Sequence, residues 1–228
     1  MHLIDPTQKE IMAEQKEYLK GKGLKYKLEY FAEYYLKTTL IILAFLALIV
    51  SIVVTIATKK ETKCQAVFIN CIKTPDQDEF AAYAGIDTKE YEVIFDGAYY
   101  IRVDMADSSS YINLQKLVAL ITAKDVECIV GDYNTVYGYA ASEFYGDLRD
   151  FFTEEELSAL GDKVIYYDFV DEEGNLTGKT APLFIDVTDS PILKKNDSFG
   201  EDRVLLTFAI TTQRPTEARQ FFDYLYSE

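Results

Sequence analysis

The side chains best placed to meet a ligand follow short apolar runs: Asp96 after YEVIF, the consecutive Asp132, Tyr133 and Asn134 after ECIVG, and Asp189 after LFIDVT. Carboxylates, a phenol and an amide gathered in one place exchange hydrogen bonds with amines and hydroxyls, whereas an anion would meet repulsion there. The chemistry they suit is recognition of a cationic or hydroxyl-rich small molecule. Asp, Asn and Gly also collect at strand ends as turn and cap residues, and on that reading the same positions contact no ligand.

Catalytic constellations are scarce by comparison. The one histidine is His2, so a Ser-His-Asp, Cys-His or histidine-zinc site cannot be assembled around these residues. No G-x-S-x-G, P-loop or G-x-G-x-x-G motif occurs, and Asp171–Asn175 lacks the EF-hand ligand order. Binding without catalysis, and without cofactor or metal, is the expectation. The three cysteines, Cys64, Cys71 and Cys128, contain no C-x-x-C. They read as buried small hydrophobes, with a Cys71–Cys128 or Cys64–Cys71 bridge as the alternative.

Strands and helices alternate around these residues. Runs at 66–70, 91–95, 127–131, 164–169, 183–187 and 204–211 are short, rich in β-branched and aromatic residues, and bounded by turn formers. Helical patterns at 78–84, 111–123, 135–142, 154–160 and 215–226 lie between them, the last opening on Pro215. Such alternation predicts an α/β domain with a mostly parallel sheet, whose carboxyl edge would collect the five candidate residues. Asn134 or Thr135 is expected to cap the helix after the third strand, and Asp171–Asn175 to turn an antiparallel excursion.

Residues 40–57, LIILAFLALIVSIVVTIA, carry no charge and no polar face, and with flanking threonines they are long enough to cross a bilayer. The predicted organisation is a juxtamembrane helical segment at 1–37, a transmembrane helix at 38–58 and a globular domain at 64–228. Within the first segment a helix is expected from a Thr7 cap with Glu10 three residues on, Gly21 and Gly23 break it, and a second helix from Leu24 runs into the span. Tyr34 and Tyr35 suit the headgroup level, or a docking face for a membrane partner. Lysines 20, 22, 25, 27 and 37 precede the span against 59, 60, 63 and 73 after it, a five-to-four margin that favours a cytoplasmic N-terminus and an extracytoplasmic domain.

The charge excludes one class of partner. Of the 23 basic and 38 acidic residues, 16 and 32 lie beyond residue 37, and a domain so acidic repels nucleic acid and anionic headgroups.

The phrases YFAEYYLK, IATKKET, QAVFIN, VECIVGDYNTVYGYAASEFYGDLRDF, TAPLFIDVTDSP and LLTFAITTQRPTEARQFFDYL together resemble a group of bacterial single-pass membrane proteins. Their outer part is similar to one lobe, or a reduced version, of the type II periplasmic solute-binding protein fold. The resemblance implies ligand-facing roles for Asp132, Tyr133 and Asn134, and a closing strand and helix at 204–225 that return to the first lobe. A membrane helix replaces the lipoprotein anchor, and the chain is short for two full lobes. Two functions are implied: a solute-binding or sensing module that serves a transporter, or a non-liganded interaction subunit of a membrane complex built on a relic of that fold. A deep pocket ringed by Asp132, Tyr133, Asp96 and Asp189 would favour the first, and filled strand ends with exposed aromatic surfaces the second.

Overall fold

The computed structural model describes residues 6–104, 108–171 and 173–227; His2 lies outside them. Two compact units divide between Lys59 and Lys60.

The first unit holds three helices, α1 (Pro6–Tyr18), α2 (Leu24–Tyr34) and α3 (Leu36–Thr58). α1 already includes Thr7, beginning one residue ahead of the expected cap. Gly21 breaks the chain after α1 in a left-handed conformation, φ 84°. The expected continuous second helix is divided into α2 and α3 by a distortion at Tyr35, φ −115°, across which the helical bonds Tyr35 N–H to Phe31 O and Thr39 N–H to Tyr35 O persist. Within α3, Leu36–Ile56 is long and apolar enough to cross a membrane and is unburied within the protein. Two of its hydroxyls, those of Thr55 and Thr58, donate back to the carbonyls of Ser51 and Val54 at 2.9 and 2.8 Å, so they bring no unpaired donor to an apolar medium.

The second unit is a six-stranded sheet with helices on both faces. Its strands are β1 (Glu61–Ile69), β2 (Tyr91–Tyr99), β3 (Cys128–Asp132), β4 (Val164–Val170), β5 (Leu176–Asp186) and β6 (Val204–Phe208), in the order β2-β1-β3-β6-β5-β4. The sheet is mixed rather than mostly parallel: β1 runs parallel to β2 and β3, but β3–β6, β6–β5 and β5–β4 are antiparallel. Two connections cause this. The Asp171–Asn175 turn folds β4 against β5 as a hairpin, with Asp171 N–H donating to the Asn175 carbonyl. After β5 the chain passes through a five-residue helix, α8 (Pro191–Lys195), and re-enters the sheet from the same edge, so β6 returns antiparallel.

β1 from Cys64 on, β3 up to Gly131 and all of β6 are continuously buried because both their faces are covered. One face meets α4 (Gln77–Tyr83), α8 and α9 (Pro215–Leu225), where the rings of Phe68, Phe80, Phe95 and Phe221 meet at centroid distances of 5.3–6.1 Å. The other carries α5 (Ser108–Thr122) and α6 (Tyr133–Gly138) over Val67, Ile69, Ile129 and Leu205. α7 (Glu154–Leu160) opens on a complete capping box between Thr153 and Glu156.

All three cysteines are free. Cys71 lies against Gly97 of β2, whereas Cys128 is in β3 beyond β1, about two strand spacings of ~4.8 Å away, which is too far for a disulfide. Cys64 pairs in register with Val93, four residues down β2 from Gly97, so it does not reach Cys71 either. Cys64 and Cys128 are buried neighbours, and burial raises the Cys128 thiol well above its ordinary value.

Candidate functional site

Because β1, β2, β3 and β5 point the same way, their carboxyl ends share one edge with the amino ends of β6 and β4. The register places Gly131 opposite Ile69, Asp132 opposite Val204, and Asp186 opposite Leu205.

Asp132 lies at this edge, and both its oxygens are engaged. Oδ1 accepts the Thr135 N–H at 3.0 Å, making Asp132 the N-cap of α6 in place of Asn134 or Thr135. Oδ2 accepts from Asn70 Nδ2 at 2.7 Å. Asn70 holds three elements together. In a left-handed conformation at φ 60°, it turns its amide so that Oδ1 accepts from Ile101 N–H at 2.9 Å and Nδ2 donates to the Ile101 carbonyl at 2.8 Å. Among L-residues with a side chain, asparagine is one of the few that enters this backbone region at low cost. Gly131 permits the tight entry into α6, since a Cβ there would stand 2.8 Å from Val136 Cγ2 and 3.0 Å from Ile69 Cβ.

Tyr133 follows, its N–H donating to the Arg203 carbonyl at 2.8 Å and its ring stacked on Tyr137 at 5.3 Å. The Arg203 guanidinium lies 4.5 Å from the Tyr133 ring centroid while its Nε donates to Asp186 Oδ2 at 2.6 Å. Burial works against the ionised Asp186, but hydrogen bonds from Thr188 and Arg203 outweigh it and hold the carboxyl below its ordinary range. Asn134 is exposed. With Asp132, Tyr133, Asp202 and Arg203 it lines a cavity of about 160 Å³, below the roughly 300 Å³ at which small-molecule pockets begin.

The remaining two candidates do not join this cavity. Asp96 lies within β2 opposite Val67, short of the edge, where it accepts from Ala98 N–H at 2.9 Å and Lys116 Nζ at 3.1 Å. Asp189 accepts from Lys163 Nζ at 2.7 Å and from the Tyr226 hydroxyl at 2.8 Å. Those two bonds keep its carboxyl below the ordinary range against the opposing effect of burial. Nearby Ser190 caps α8 and donates to the Leu225 carbonyl at 2.6 Å. Thus Asp132, Tyr133 and Asn134 come together, and Asp96 and Asp189 are held elsewhere by lysines.

Arg203 and Asp202 are the site residues that sequence reasoning missed. A basic residue heading an apolar strand was the available signal, but its partner Asp186 depends on β6 lying antiparallel beside β5. Among the described residues no cluster of three or more His, Cys, Asp or Glu is arranged to hold a metal ion. No known family model, curated protein or solved structure matches this chain.

Proposed function

We propose that this chain is a non-catalytic, membrane-anchored interaction subunit, carried by the helix at Leu36–Ile56, whose globular unit meets a protein partner at the outer face of the membrane. One observation carries the reading: the carboxylates at and near the strand ends are already bonded within the fold. Asp132, Asp96, Asp186 and Asp189 each have internal donors, so a solute would have to displace bonds rather than complete them.

Exposed apolar side chains supply what the strand ends lack. Tyr100 and Val103 leave β2, and Tyr111 and Ile112 open α5 beside them, each 49–61% exposed. The two segments are tied by Arg102 N–H to Ser110 Oγ and by Asn113 Nδ2 to the Tyr100 carbonyl. Large apolar and aromatic side chains exposed on two segments tied in this way suit a contact surface. The alignment of four carboxyl ends along one edge supports descent of the unit from a solute-binding lobe.

A photo-crosslinking residue at Tyr111 in the full chain, expressed in its own membrane, should give one discrete adduct that Ile112→Asp removes. A thermal-shift screen of residues 60–228 against amines, amino acids and sugars should leave the midpoint unmoved. A ligand at about 100 times its Kd would add roughly 2.7 kcal/mol, and such a gain abolished by Asp132→Ala would establish the solute-binding reading instead.

A further inference from the structure

Between α1 and α2, within the first unit, lies a cavity of about 550 Å³, more than three times the space at the strand ends. It is lined by Tyr18, Tyr26, Tyr30 and Tyr34 together with glutamates that include Glu29 and Glu33. The rings form a connected cluster, with Tyr30 in the middle, 6.0 Å from Tyr18 and 4.7 Å from Tyr34. Tyr18 and Tyr26 join hydroxyls at 2.6 Å, and Tyr35 donates to Gln15 Oε1, which ties the two helices at both ends of the cavity.

Aromatic faces and carboxylates around one space select a cation, and an organic one over a small metal ion, because ring faces offer no lone pairs to replace a metal ion's tight hydration shell. The chain already uses these rings in that way. Lys22 places its ammonium 4.7 Å from the Tyr26 centroid and 5.6 Å from that of Tyr18. Among the described residues, no lysine or arginine pairs with Glu29 or Glu33, and both carboxylates are exposed and accessible to a cation.

We propose that this tyrosine-lined cavity binds an organic ammonium group, primary or quaternary, held among Tyr26, Tyr30 and Tyr34 and balanced by Glu29 and Glu33. The cavity is close in sequence to the apolar helix: Tyr34 is two residues from Leu36, and Tyr26 about 15 Å away along a helical path. Two sources supply this chemistry there, the choline or ethanolamine headgroup of a zwitterionic lipid and a free amine in solution.

The test is calorimetric titration of the full chain in maltoside micelles with choline and with ethanolamine, alongside 3,3-dimethylbutanol, which has the shape of choline without its charge. Choline should bind and the neutral alcohol should not. Tyr30→Ala should weaken choline binding about tenfold, Tyr30→Phe should change it less than about twofold, and Glu33→Gln should weaken it about fivefold, as expected for contributions of roughly 1 kcal/mol per contact. Circular dichroism of each variant establishes that the helices persist. Weaker choline binding in phosphatidylcholine nanodiscs than in phosphatidylglycerol nanodiscs identifies the lipid headgroup as the occupant, and equal binding in both identifies a free amine. Absence of binding, equal binding of the neutral alcohol, or full affinity in a helical Tyr30→Ala protein would overturn the proposal.

Discussion

Glu127 is fully buried just before β3, where its carboxylate accepts the Gln65 N–H at 2.7 Å and pairs with Arg214 ahead of α9. Burial raises its pKa from 4.5 to about 7, only partly offset by the Gln65 and Arg214 bonds. The folded value therefore exceeds the unfolded one, and between them the native state binds more protons than the unfolded chain. The contribution to stability is complete below about pH 4.5 and is lost as pH rises through about 7, an effect of up to ~3 kcal/mol. Glu127→Gln keeps an acceptor for Gln65 and cannot ionise. Urea midpoints measured from pH 5 to pH 8 should fall more steeply for the wild-type protein than for this variant, and parallel curves would show that Glu127 stays ionised in the fold.

Where elements meet, Asn70 joins the end of β1 to the segment leaving β2 and to the start of α6. Asn70→Ala would leave Asp132 Oδ2 and the Ile101 backbone short of partners and place a Cβ residue at φ 60°, at a cost of about 2–4 kcal/mol. Asn70→Gly relieves only the backbone part, so chemical denaturation should rank wild type above glycine above alanine; equal losses would refer the effect wholly to the side chain. Such bridges explain what the sequence could disclose. Strands and helices of the globular unit were legible because apolar period and turn formers are local, and α7 falls on the expected residues 154–160. The direction of β6 was not legible, because hydropathy is the same read either way along a strand. β5 extends back to Leu176 because its first half lies in the exposed hairpin arm, where no burial pattern marks a strand. The candidate site was legible as a set of polar strand ends, but cap and ligand contact use the same residue types, and only the positions of Asn70, Lys116 and Lys163 show that the carboxylates are already engaged.

At the scale of the whole molecule, topology governs every functional reading. Beyond Lys37 in its first turn, Leu36–Ile56 carries no charge and is unburied, as a helix solvated by lipid would be, and it is the single helix among the described residues with the length and composition to span a bilayer. Within about twenty residues of the apolar segment at 38–58, five lysines (20, 22, 25, 27 and 37) precede it and four (59, 60, 63 and 73) follow, and the chain as a whole carries a net charge of −15, concentrated beyond the helix. An excess of positive charge is retained in the cytoplasm, whereas acidic residues contribute little to orientation, so the margin of one lysine sets the expected direction. With a different epitope at each terminus, proteinase K added to intact cells, or to spheroplasts where an outer membrane is present, should remove the C-terminal epitope and spare the N-terminal one. Replacing Lys25 and Lys27 with glutamine reverses the lysine margin and should yield a population of inverted molecules. Protection of the C-terminal epitope in the wild-type protein would place the globular unit in the cytoplasm, with the tyrosine cavity on the opposite side of the membrane from that expected here.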